Sequence, residues 1–153
     1  MKTKILLLIL IFGTFFVSCQ QESLKEYMVN SWETTYLKLE MPTYKKSDSL
    51  YVFEDNFDHN PKRIARSKYN ADGTFSAWFV NQKGEHISDS EGTWRIENDS
   101  LFIAFFYDGS AMKVGYHITK TEEGFLGKSK YDWDNDGDFD DLLTMKTKRI
   151  KEQ

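Results

Sequence analysis

The sequence predicts an all-β protein, an antiparallel up-and-down barrel of about eight strands that follows an apolar N-terminal segment. Three observations predict it. From Trp32 to Ile150 short β-rich runs alternate with clusters of turn residues. Apolar residues recur at every second position, as strands with one covered face require. Met112, Val114, Tyr116 and Ile118 share one face while Lys113 and His117 take the other. Finally, only Pro42 and Pro61 interrupt a chain of which 16% is aromatic, so a packed core is expected.

Taken in order, residues 20–30 read as a short tether. Within them "SLKEYMV" carries Ser23 as a helix cap with Glu26 three residues later, a capping-box pattern for one or two helical turns. "WETTYLKLEM" (Trp32 to Met41) is the first strand and "KSDSLYVF" a second, before the irregular stretch "EDNFDHNPKR". "IARSKY" and "TFSAWFV" form a hairpin across "NADG", because Asp72-Gly73 lies between β-rich runs. "NQKG" makes the next turn. "GTWRIE" and "LFIAFFY" pair across "NDS"; "AMKVGYHIT", "FLGKSKYDW" and "DFDDLLTMKTKRI" complete the series. "LFIAFFY" is apolar on both faces, so its outer face is either covered or meets a partner.

The chain opens with Lys2 and Lys4, followed by an apolar run from Ile5 to Val17 that only Gly13 and Thr14 interrupt. A membrane-spanning helix needs roughly 20 apolar residues, so this run suits an export signal better than a span. Its end, "FVSC" (Phe16 to Cys19), resembles the lipobox of bacterial lipoproteins, with Phe16 where Leu is usual. That resemblance implies residues 1–18 as a lipoprotein signal peptide and Cys19 as the lipidated first residue, carrying acyl chains such as palmitate. The alternative is an ordinary signal peptide beside an incidental Cys. Gln20, where an Asp would signal retention, implies the outer membrane of a bacterial cell envelope. Cys19 is the only Cys, which leaves no thiol for a disulfide, a nucleophile or a thiolate metal site.

The domains are therefore the signal peptide (1–18), a lipidated tether (19–30) and one barrel domain (31–153). The length after residue 18 suits a single domain. Losing Lys2 and Lys4 leaves 18 basic residues against 24 acidic ones, a net charge of −6. A negative domain without a basic stripe argues against nucleic acid.

Trp32, "DGTF" (Asp72 to Phe75), "EGTWRI" (Glu91 to Ile96), "DSL" (Asp99 to Leu101) and the closing "MKTKRI" (Met145 to Ile150) together resemble the lipocalin-like lipoproteins of Bacteroidetes-type bacteria. Asn30 stands where such proteins usually have Gly. The resemblance implies that Trp32 is paired with Arg149 of the last strand to close the barrel bottom; otherwise Trp32 is a core residue and Arg149 a surface charge. Eight-stranded barrels either hold one small ligand or fill with their own side chains. The many aromatics fit both an apolar pocket and a crowded interior.

"YDWDNDGDFDD" (residues 131–141) is the most distinctive stretch. Asp132, Asp134, Asp136, Asp138 and Asp140 recur at every second residue. The opening D-x-D-x-D-G matches a calcium loop, which holds its ion through hard oxygen ligands at alternating positions. The bidentate acid due at the twelfth position is Leu143, and Asp141 replaces it only with altered geometry. The other reading is a hairpin tip around Asn135-Asp136-Gly137, with Trp133 and Phe139 inward and facing aspartate pairs 134–138 and 132–140. Facing like charges are destabilising unless a cation joins them. A solvated acidic tip is the alternative to calcium.

His59, His86 and His117 fall in different elements without metal-ligand spacing. No phosphate-binding loop or G-x-S-x-G elbow occurs. The expected function is thus non-enzymatic: an anchored barrel that binds a small apolar molecule or an envelope partner. A calcium-stabilised β-module without a cavity is the alternative.

Overall fold

The computed structural model describes residues 22–58, 63–107 and 109–151. One short helix, α1 (Leu24–Met28), precedes nine strands. They are β1 (Ser31–Met41), β2 (Tyr51–Asp55), β3 (Ile64–Tyr69), β4 (Thr74–Val80), β5 (His86–Glu97), β6 (Ser100–Tyr107), β7 (Ser110–Lys120), β8 (Phe125–Tyr131) and β9 (Asp141–Arg149). Every pairing is antiparallel, and β1 pairs with β9, so eight strands close into a barrel with β2 as an extra strand. β2 and β3 lie along the same edge of β1: β3 pairs with Ser31 to Thr34, and β2 pairs with Leu37 to Met41. A bulge between Thr34 and Tyr36 separates the two halves.

Turn chemistry sets the register. The β5–β6 hairpin closes through a two-residue turn, Asn98-Asp99, both at positive φ, the geometry that matches strand twist. Toward the other end of this ladder, Gly92 is placed so that a Cβ would meet the Ala104 carbonyl oxygen at 2.0 Å. No side chain fits between these two strands.

Alternation places the core. On β7, Val114, Tyr116 and Ile118 are buried while Lys113 and His117 are exposed. Strand β6 is apolar on both faces because its outer Phe102 lies under the Arg95 guanidinium, 4.9 Å from ring centroid to carbon, and against Gly115. The closed end is sealed by α1. Its capping box is complete, with Ser23 accepting from the Glu26 backbone and Glu26 from that of Ser23. Met28 from α1 packs with Trp32, Leu101 and Phe125 in the core. The Trp32 indole donates to the Met28 carbonyl at 3.1 Å, and the Tyr27 hydroxyl donates to the Gly124 carbonyl.

The last hairpin differs from the expected register. The β8–β9 ladder ends at Tyr131 paired with Asp141, so residues 132–140 form a nine-residue loop. The expected facing pairs 134–138 and 132–140 are not in the ladder, and Phe139 is 64% exposed where an inward position was expected. Trp133 does pack against the core. The cause is chemical: these aspartates bond to backbone N–H groups of their own loop, which competes with strand pairing.

Candidate functional site

Two features at the open end could carry function, a cavity and the acidic loop. The cavity, of about 750 Å³, runs along the β3–β4–β5 side of the barrel interior. Its deep part is walled by Tyr69, Phe75, Ile103, Tyr116 and Phe125, all buried. Phe79, Phe105 and Met145 continue the apolar wall, and Arg63, Ser88, Asp89 and Phe106 stand at its exposed rim. Room exists there because Ala65, Ser67 and Ala77 are small at positions that alternation turns inward. The opposite side is filled by Leu37, Leu39, Met112, Tyr131, Trp133 and Leu143. Burial pushes the hydroxyls of Tyr69 and Tyr116 far above the usual phenol range, so both present neutral O–H groups. A space of this size, with an aromatic inner wall and polar groups toward its rim, is the kind that holds a small molecule.

The acidic loop is built by its own carboxylates. Asp132 accepts from the backbone N–H of Asp136 and Gly137, at 3.0 Å each. Gly137 itself sits at φ +98°, where a side chain would be strained. Asp134 accepts from the Lys45 N–H and Asp136 from the Lys46 N–H, so the loop is strapped to the β1–β2 connection. Asp141 is buried at the loop's base and accepts from the N–H of Trp133 and of Asp134. Burial raises its carboxyl above the ordinary 3.8, and Asp134 and Asp140 add repulsion; the two N–H donors oppose both.

Of the five aspartates read as a calcium set, the fold groups Asp132 and Asp134 with Asp141, each offering one oxygen within 4.8 Å of the others. Asp136 instead turns to Lys46 and to the Asp138 backbone; Asp138 is exposed. Asp140 is half-buried, and one of its carboxylate oxygens has no hydrogen-bond partner. Asp141, read from spacing only as a substitute for the twelfth-position acid, stands at the first position of β9, and its carboxylate reaches back to the Trp133 and Asp134 N–H groups.

Trp32 and Arg149 face each other in the β1–β9 ladder, with the guanidinium 5.2 Å from the Trp32 ring centroid. Cys19 and His59 lie outside the described residues. His86 stacks on Trp78 with ring centroids 5.1 Å apart, and His117 is exposed on β7.

Comparison of the chain with protein-family models, with curated proteins and with solved structures finds no match. The residues lining the cavity were not singled out from the sequence. The readable signal was the run of small residues Ala65, Ser67 and Ala77 at inward positions facing large aromatics.

Proposed function

We propose that this chain is a lipid-anchored bacterial envelope protein whose lipocalin-like barrel binds a small apolar molecule without catalysis. The cavity of about 750 Å³, walled by buried aromatics, carries that reading. Lipidation at Cys19 attaches the protein to the membrane, with Gln20 directing it to the outer membrane. Phe106 and Phe139, both more than 60% exposed, are the residues an envelope protein would meet at the open end. The test is titration of the purified chain with a fluorescent apolar probe, set beside Ala77→Leu, which narrows the cavity. Saturable binding that Ala77→Leu weakens supports the reading; no saturable binding overturns it.

A second reading concerns the acidic loop and sits beside the cavity. Calcium held by Asp132, Asp134 and Asp141 would turn their mutual repulsion into a tie between loop and barrel. Extracellular calcium modules bind at about 10⁻⁴ to 10⁻³ M, so melting is compared in chelator and in calcium about tenfold above that range. A melting temperature that does not move sinks this reading.

A further inference from the structure

We infer that the molecule held in the cavity ends in an anionic group, and that Arg63 at the rim holds it. This rests on the reading of the barrel as a binding module and adds the chemistry of its ligand. Arg63 immediately precedes β3, and alternation puts it on the inward side with Ala65, Ser67 and Tyr69. Its guanidinium lies 5.7 Å from the centroid of Phe79, an apolar wall residue. Arg63 is exposed and has no carboxylate partner among the described residues.

The other charges of the lining do not compete for this role. Arg66 is paired with Glu33 at 3.3 Å, and Glu33 also takes Lys148 at 2.8 Å. Asp89 is the one carboxylate among the described lining residues; it is exposed and makes no ion pair with Arg63. Deeper in, Tyr69 and Tyr116 are held neutral by burial, so the inner wall offers no compensating charge. The cavity thus grades from an aromatic interior to a guanidinium at its edge that has no ion pair among the described residues. An apolar chain with a terminal carboxylate matches that gradient end to end. Arginine suits the terminus because its planar donor fork pairs both carboxylate oxygens at once.

The experiment titrates the full-length chain with cis-parinaric acid and with its methyl ester, following tryptophan emission against a detergent blank. The two probes share one apolar body and differ in charge. The acid should bind about tenfold more tightly than the ester, which a charge-assisted hydrogen bond supplies. Arg63→Gln should remove that difference, bringing the acid down to the affinity of the ester. Equal binding of acid and ester, or an advantage that survives in Arg63→Gln, overturns the inference while the cavity reading stands. Failure of both probes to bind overturns the cavity reading as well.

Discussion

Arg149 stands opposite Trp32 in the β1–β9 ladder and lies over two rings at once, 5.2 Å from the Trp32 centroid and 4.6 Å from that of Tyr27. It also donates to the Tyr27 carbonyl at 3.4 Å. One cation therefore joins the helix that seals the barrel to the two strands that close it. Arg149 itself is exposed, so this contact is worth about 0.5–1 kcal/mol. Arg149→Ala should lower the melting temperature by a few degrees. Trp32→Ala, which empties a fully buried site, should cost about 3–5 kcal/mol. Thermal or urea unfolding of both variants checks the ranking; equal effects would contradict it.

Gly92 tests the β5–β6 register. A methyl group there would stand 2.0 Å from the Ala104 oxygen, an atom fixed by the ladder. Gly92→Ala should destabilise by about 1–3 kcal/mol or more, the range for overpacking a rigid site. Unfolding curves measure it, and an unchanged midpoint would show that the strands separate more easily than this packing implies.

Asp141 sets a pH dependence. Its carboxyl is raised above 3.8, chiefly by burial, so the folded chain holds that proton more tightly than the unfolded chain does. Its ionisation therefore weakens the fold as pH rises through the folded value, and the penalty disappears as pH falls toward 3.8. Asp141→Asn keeps an acceptor for the Trp133 and Asp134 N–H groups and removes a charge beside Asp132 and Asp134. In chelator the variant should melt higher than wild type at pH 7, with the gap shrinking under mildly acidic conditions. Glu26, Asp72 and Glu97 have the opposite sign. Hydrogen bonds from Ser23, Thr74 and Arg95 respectively lower their values, so their stabilisation is present at neutral pH and fades below the ordinary carboxylate range. A melting temperature of Asp141→Asn below that of wild type at neutral pH would refute the sign.

Ala77→Leu adds apolar volume inside the cavity wall. Cavity filling commonly contributes about 0.5–2 kcal/mol. The variant should melt a few degrees higher while binding an apolar probe more weakly. A loss of stability would mean that the cavity has no room for a branched side chain at this position.

Much of the fold was legible because the strands obey a simple alternation. Val114, Tyr116 and Ile118 point inward as their spacing requires, and the turns at Asn98-Asp99 and Asp72-Gly73 fall where their residue types place them. Ser23 and Glu26 announced the cap of α1. The β8–β9 loop was less legible, because local carboxylate-to-backbone bonds in Asp132 and Asp134 outcompete the ladder that alternation suggests. The cavity was hidden for a different reason. Its existence depends on which strands face which across the barrel, and small inward residues on β3 and β4 become a void only once Phe105 and Tyr116 stand opposite.

Because β2 and β3 share one edge of β1, the chain leaves the barrel wall after Met41 and rejoins that same edge at Ile64. The eight-strand closure is complete without this excursion. β2 hydrogen-bonds to β1 alone among the described strands, and Leu50, Tyr51, Val52 and Phe53 are all more than 40% exposed. The barrel therefore has two levels of cooperativity: a ring that opens only by global unfolding, and a flap that can detach at far lower cost. Amide protons of Val52 and Phe53 should exchange with solvent well before those of Val114 and Tyr116, so the flap can breathe while the ring stays shut.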